Sequence, residues 1–224
     1  MDWSEFSQLN TRKLNLGGAC DCHPHPLYQD FVSVDLEAQS DYGISHDLSK
    51  PLPIESESVD QILSEHFFEH IPFKTALNLL SECHRVLKPG HHMRIAVPDY
   101  GSPRNIKCAI EGHDPKHTDH VEFPDINWAR NLCKQAPFST YQISNYWDSS
   151  EFVRSEIDFK KGWVKRTIEN DHRNKRIGLY SKITGMLRDF GTLSLVGFNW
   201  AHPLMKTVRG RPLRMTSIII DLSK

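Results

Sequence analysis

The strongest constraint on this chain is a rhythm of short β-prone runs and single helical segments between residues 13 and 134. From Thr75 to Leu87, apolar residues fall at Ala76, Leu77, Leu79, Leu80, Cys83, Val86 and Leu87. That spacing gives a helix one wide apolar face, which must be buried against another layer. Lys88-Pro89-Gly90 ends the helix with a basic last turn and a breaker pair. Around it lie the strand runs Lys13–Leu16, Phe31–Leu36, Val59–Leu63 and Met93–Val97, the last closed by Pro98. Ile126–Lys134 reads as a further helix and Tyr141–Trp147 as a strand. Ser217–Leu222 is a continuous apolar run that predicts a central strand. Strands separated by single helices predict an α/β fold, a mostly parallel sheet with helices on both faces.

One stretch breaks the rhythm. Residues 151–214 are long, basic and aromatic-bearing, and a structureless insertion of that size is unusual. The expected organisation is one domain over 1–224, its core about 11–150 and 215–224. A helical insertion or lid at about 151–214 precedes the last strand. The net charge of -1 hides this split. Residues 1–153 carry 12 basic and 22 acidic side chains, whereas 154–214 carry 14 basic and 5 acidic. A basic segment on an acidic body either meets an anionic partner or docks onto its own body.

Several classes are set aside. With 10% aromatic residues the chain is expected to collapse rather than stay disordered. The longest apolar-leaning stretch without charge, Gly191–Met205, is 15 residues and a membrane span needs about 20, so none is expected. The N-terminus MDWSEFSQLN has no basic start followed by an apolar run, so no export signal is expected and a cytoplasmic location is. The five cysteines, an odd number without framework spacing, are then expected to be reduced. Cys20 and Cys22 with His23 and His25 resemble half a metal site. There is no second cluster at zinc-finger spacing, so no structural metal is expected there.

In an open α/β sheet, ligands bind beyond the carboxyl ends of the strands. After the first strand run come Gly17, Gly18 and Ala19, and after the second comes Asp35, 18 residues beyond Gly17. Glycine lets the backbone turn and approach a ligand, and an acid at that distance is placed for the two hydroxyls of a ribose. The loop reads G-G-A-C-D-C, without the G-x-G-x-x-G of nicotinamide cofactors, and no Walker P-loop occurs. A nucleoside ligand lacking a pyrophosphate fits better.

An ordered series of strings then carries a resemblance. They are KLNLGG (Lys13–Gly18), VDL (Val34–Leu36), HDLSKPLPIESESVDQILSEHFFEH (His46–His70), ECHRVLKPG (Glu82–Gly90) and RIAVPD (Arg94–Asp99). Together they resemble class I S-adenosylmethionine-dependent methyltransferases of the methyltransferase type 11-like family, in a branch associated with bacterial glycan modification. The later DHVEF (Asp119–Phe123), NYWD (Asn145–Asp148), ENDHRN (Glu169–Asn174) and SIIIDL are similar to the same branch. The resemblance implies a Rossmann-like fold and S-adenosylmethionine as cofactor, with S-adenosylhomocysteine as product. It implies that Gly17, Gly18 and Ala19 form the loop under the cofactor's amino-acid part, beside Asn15. Asp35 with Leu36 would hold the ribose, Asp47 and Leu48 the adenine, and Ser64, Glu65 and His66 the floor of the site. Ala19 departs from the family, standing where a second loop glycine is common.

The run SEHFFEH, Ser64–His70, bears separate readings. On a helix, His66, Glu69 and His70 would share one face. The pattern H-x-x-E-H occurs in a class of zinc proteases. Ubiquinone-type O-methyltransferases, similar in fold, use acids and a histidine here for a divalent cation. The plain alternative has His66 lining the pocket and Glu69 and His70 bonding backbone near a helix start, and on that reading no metal is expected. His113, His117 and His120 lie in the loop after Met93–Val97, and an imidazole can take a proton from a hydroxyl at neutral pH. His66 and His120 are therefore the expected catalytic bases.

The expected activity is transfer of a methyl group to an oxygen or nitrogen of a small or glycan-like acceptor. The alternative is an inactive methyltransferase-like binding or partner subunit, for which Ala19 is the feature. The basic clusters of 154–214 flank the apolar Gly191–Met205, which suits a phosphate-bearing, greasy acceptor or peripheral contact with the inner membrane surface. No nucleic-acid partner is expected, because the acidic body repels a long polyanion.

Overall fold

The computed structural model describes residues 1–18, 30–38, 43–103, 105–149, 151–153, 155, 157–158, 161–162 and 217–224. A short first helix, α1 (Trp3–Ser7), is closed by a reciprocal cap between Asp2 and Glu5 and buries Phe6. Four strands then run in parallel: β1 (Lys13–Leu16), β2 (Phe31–Asp35), β3 (Ile44–Ser45) and β4 (Val59–Glu65). Helix α2 (Phe73–Val86) passes directly into β5 (Leu87–Pro98), parallel to β4. After α3 (Ile106–Glu111) and α4 (Ile126–Gln135), strand β6 (Thr140–Ser144) forms the far edge. A two-stranded ribbon follows, β7 (Tyr146–Asp148) and β8 (Glu151–Val153). The last strand, β9 (Ser217–Ser223), inserts antiparallel between β5 and β6. The order is β3-β2-β1-β4-β5-β9-β6, so the chain winds outward in opposite directions from β1 and from β4. The gap between those two strands is the switch point where such sheets bind ligands.

Alternation sorts the strand residues onto two unlike faces. One face is apolar. Leu14 and Leu16, Ile62, Met93, Ile95 and Val97, and Ile218, Ile220 and Leu222 share a core with Ala76, Leu79, Leu80, Cys83 and Val86 of α2 and Ala129, Leu132 and Cys133 of α4. The other face is laced with buried polar groups: Asn15, Ser33, Gln61, Arg94 and Asp221. Arg94 is 0% exposed and makes a two-pronged bond to Asp221, Nε to Oδ1 at 2.6 Å and Nη2 to Oδ2 at 2.8 Å. Its Nη1 donates to the Gly162 carbonyl at 2.6 Å, and Ile157 packs on Leu63, Ala96 and Ile219. The start of the basic stretch is thus docked onto the sheet; the rest of the expected insertion lies outside the described residues.

Three expectations are corrected. Ser217–Leu222 is interior but one strand from the edge rather than central, because β6 pairs outside it. Tyr141–Trp147 is not one strand: Asn145 adopts a left-handed φ of 57°, and the chain leaves the sheet there to form the β7–β8 ribbon. The single turn Phe68–His70 is 3-10, so His66 does not sit on a helix with Glu69 and His70. Cys83, Cys108 and Cys133 are free thiols, while Cys20 and Cys22 lie outside the described residues. No described helix is long and apolar enough to cross a membrane.

Candidate functional site

Strand register gathers the cofactor residues expected from sequence at one edge of the sheet. Leu16 pairs with Val34 on one side and Ser64 on the other, so Gly17, Asp35 and Glu65 follow at neighbouring strand ends. Asp35 in turn pairs with Ser45, and Asp47 stands two residues beyond it.

Two glycines shape the centre of this edge. Gly17 has a φ of 67°, a left-handed angle that only glycine takes freely, and its amide donates to the Val34 carbonyl at 2.9 Å. A Cβ on Gly17 would also lie 2.5 Å from the Phe67 Cβ. On Gly18 it would lie 2.5 Å from Ser33 Oγ and 2.8 Å from Asn15 Cγ. Ser33 Oγ donates to the Gly18 carbonyl at 2.7 Å, fixing the loop from below. Asn15 is buried beneath Gly18, and its Oδ1 has no hydrogen-bond partner among the described residues. This bare backbone, an acceptor awaiting a donor and a carboxylate one strand over fit the amino-acid part and ribose of a nucleoside ligand.

The remaining residues expected at the cofactor divide. Asp35 Oδ1 accepts from the Leu36 amide at 2.7 Å, and the Leu36 side chain is 69% exposed beside it. Asp47 accepts from the Ser49 amide at 2.9 Å; the Ser49 side chain first, and then this amide, hold its carboxyl below the ordinary range. Leu48 points into the apolar core. Ser64 Oγ donates to the Leu16 carbonyl at 3.0 Å, which ties β4 to β1 rather than lining a pocket. Ala19 lies outside the described residues.

Beyond β4 the chain builds a second, denser group. His66 has a left-handed φ of 56°, strained for a side chain with a Cβ, and its amide donates to the Ala96 carbonyl at 2.8 Å. That conformation turns the chain so that Glu69 is carried back beneath it, with His66 Nδ1 3.3 Å from Glu69 Oε1. His66 Nε2 meets Ser217 Oγ at 2.9 Å. The loop after β5 is strapped onto the same turn. The amides of Val121 and Glu122 both donate to the Glu69 carbonyl, and Glu122 accepts from the Phe73 amide at the start of α2. The strap sets His120 beside Glu69, with Nε2 3.9 Å from Oε1.

Tyr100 and Asp114 complete this group, and both were invisible to the sequence reading. The Tyr100 hydroxyl donates to Asp114 Oδ2 at 2.8 Å and lies 2.6 Å from His120 Nδ1. Burial, then the hydrogen bond to Asp114 and the Asp114 charge, push the tyrosine well above its ordinary value. Burial alone would raise Asp114, but the Lys116 amide and the Tyr100 hydroxyl outweigh it and hold the carboxyl low. Burial first of all keeps the His120 imidazole below its ordinary value of 6.5, favouring the neutral ring. His113 and His117, the other histidines of the loop, are not bonded to Glu69; His117 stacks on His120 at 4.8 Å between centroids. A Pro-Asp-Tyr ending a strand carries no signal that would have marked Tyr100 in advance.

With this geometry in place, comparison with known proteins places the fold. Residues 24–95 match the methyltransferase-domain family model. A sequence search of curated proteins finds no match. The chain is similar in structure to phosphoethanolamine N-methyltransferase 2 of Haemonchus contortus in complex with S-adenosyl-L-methionine, with TM-score 0.53 and 16% identity. That alignment covers 99% of this chain and 50% of the other, so this chain spans about half the length of that protein. It is also similar to a SAM-dependent methyltransferase of Archaeoglobus fulgidus, with TM-score 0.51 and 14% identity, covering 99% of this chain and 90% of that one. The match over residues 24–95 and the strand order agree, and the fold is that of the class I S-adenosylmethionine-dependent methyltransferases.

Proposed function

We propose that the protein is an S-adenosylmethionine-dependent methyltransferase acting on an oxygen or nitrogen of a small or glycan-like acceptor. The observation that carries this reading is the juxtaposition of the left-handed Gly17, just ahead of the methyltransferase match, with Asp35 within that match, at neighbouring strand ends. Asp35 would accept from the two ribose hydroxyls, and Gly17 and Gly18 would let backbone amides approach the amino-acid part. Asp47 would accept from the adenine amine. When bound, S-adenosylmethionine supplies a methyl group already activated by its sulfonium.

The chain's own task is then alignment and exclusion of water. For a hydroxyl acceptor, a base within reach of its proton adds to the rate, and His66 at the strand end is the candidate nearest the cofactor edge. His120 is bonded through Nδ1 to Tyr100, and its Nε2 lies 3.9 Å from Glu69 Oε1.

Calorimetry with S-adenosylmethionine and S-adenosylhomocysteine tests the reading. Micromolar binding is expected; millimolar or absent binding would leave a methyltransferase-like partner subunit. Transfer of labelled methyl from S-adenosylmethionine into cell extract, fractionated by acceptor, then identifies the acceptor class.

A further inference from the structure

Glu69 is the most unusual side chain among the described residues. It is 0% exposed, and neither carboxylate oxygen has an aligned hydrogen-bond donor among them. A buried carboxylate is normally surrounded by N–H and O–H groups, because leaving it without them costs several kcal/mol, about 1–3 per lost bond or more. Here its neighbours are imidazoles: His66 Nδ1 at 3.3 Å from Oε1, and His70 Nε2 and His120 Nε2 each at 3.9 Å.

The hydrogen-bond network assigns the tautomers of two of these rings. The Tyr100 phenol has one hydrogen, and it goes to Asp114, which as a carboxylate only accepts. His120 Nδ1, 2.6 Å from the same phenol oxygen, must therefore carry the hydrogen of that contact. That leaves His120 Nε2 with a lone pair, directed toward Glu69. His70 follows the same logic. Its Nδ1 is 3.3 Å from the Asp119 carbonyl and 3.1 Å from Asp119 Oδ2, both acceptors, so Nδ1 is the N–H and Nε2 holds the lone pair. Glu69 Oε1, His70 Nε2 and His120 Nε2 all lie within 4.8 Å of one another. Three electron-pair donors facing a common point repel one another unless a cation stands between them.

We propose that Glu69, His70 and His120 hold a divalent first-row transition metal ion, with His66 at its flank. Imidazole and carboxylate suit such ions better than they suit magnesium. Each histidine also donates its other ring N–H to an oxygen, the outer arrangement that fixes metal-binding imidazoles: Tyr100 backed by Asp114 for His120, and Asp119 for His70. Bonds of about 2.1 Å in a tetrahedral site put ligand atoms about 3.4 Å apart. The two 3.9 Å separations therefore need to close by roughly half an ångström, and the two imidazole nitrogens, within 4.8 Å of each other, by up to about 1.4 Å, which side-chain rotations can supply. The sequence reading expects no metal among His66, Glu69 and His70, but it has no means of bringing His120, 51 residues further along the chain, onto Glu69. An ion here would be a Lewis acid, and its use on an acceptor hydroxyl rests on the proposed methyl transfer. The site itself does not.

The test uses the full-length protein stripped with chelator and titrated with Co²⁺ and Zn²⁺ in the absence of S-adenosylmethionine. One equivalent of Co²⁺ is expected to give visible ligand-field absorption, and Zn²⁺ to displace it. Glu69→Gln and His120→Ala should each weaken Zn²⁺ affinity at least 100-fold. Tyr100→Phe, which removes only the oxygen that orients His120, should weaken it about 10- to 100-fold. His84→Ala, on α2 and outside the group, should leave it unchanged. Zn²⁺ should raise the melting temperature of the parent but not of Glu69→Gln, a near-isosteric change that keeps folding separable from binding. The proposal is overturned if neither ion binds at submillimolar concentration. It is equally overturned if binding survives both Glu69→Gln and His120→Ala, which would place the ion elsewhere. Because no step uses the cofactor, failure here and failure of S-adenosylmethionine binding are read separately.

Discussion

Replacing Gly17 with alanine perturbs the cofactor edge in two ways that can be separated. The backbone there has a φ of 67°, and an L-residue in that region costs about 1–2 kcal/mol. The new methyl group would also stand 2.5 Å from the Phe67 Cβ and closer still to the ring. Because that Cβ is fixed by the backbone, the strand end or the turn at His66 has to shift, and overpacking of this kind costs about 1–3 kcal/mol. The sum is about 2–5 kcal/mol, a large part of the roughly 5–15 kcal/mol that stabilises an ordinary domain. Urea denaturation followed by circular dichroism should show a lower midpoint at unchanged slope. Phe67→Ala removes the ring but leaves Cβ, so the double variant should show favourable coupling on the order of 1 kcal/mol. The S-adenosylmethionine affinity of Gly17→Ala should fall even at temperatures where it is folded. A destabilisation below about 0.5 kcal/mol, or no coupling with Phe67→Ala, would refute the argument that this glycine is required by both angle and space.

Asp35→Ala should weaken S-adenosylmethionine binding about 100-fold, as expected for loss of charge-assisted bonds to two hydroxyls, and more than Asp47→Ala does; calorimetry giving equal or inverted effects would count against the assignment. Asp221→Asn should cost about 3–5 kcal/mol in urea denaturation, because it strands the buried Arg94 guanidinium. Arg94→Met combined with Asp221→Leu should recover most of that loss; a double variant as unstable as the single one would show the pair is needed for more than charge compensation. His92 sits below its ordinary value of 6.5, chiefly because of burial, with Asp221, Lys161 and Arg94 around it. The unfolded chain therefore binds its proton first, so the contribution of the neutral ring is intact above pH 6.5 and is lost as pH falls toward the folded value. His92→Gln should flatten the fall in unfolding free energy between about pH 7.5 and pH 5, and an unchanged slope in that variant would rule His92 out as its source.

The residue pattern alone determined the layer order and most of one edge. The 3.6-residue periodicity of Thr75–Leu87 and the short apolar runs around it dictate a helix packed on parallel strands, because each such face must be buried. The structure keeps that helix as Phe73–Val86 and places Gly17, Asp35 and Asp47 at strand ends, since a chain in this register has few other ways to run. What depended on long-range pairing was not legible. Nothing local tells β9 to run antiparallel between β5 and β6, and nothing local stops β6 at Ser144. Arg94 and Asp221 are separated by 127 residues and become partners only when their strands lie side by side. The same holds at Glu69. Sequence spacing puts His66 and His70 near it, but the backbone bonds from Val121 and Glu122 bring His120 there, and Tyr100 and Asp114 set which of its nitrogens faces inward. Periodicity records which face of an element is buried; which side chains meet across elements is decided by register and by where the connecting loops are tied down.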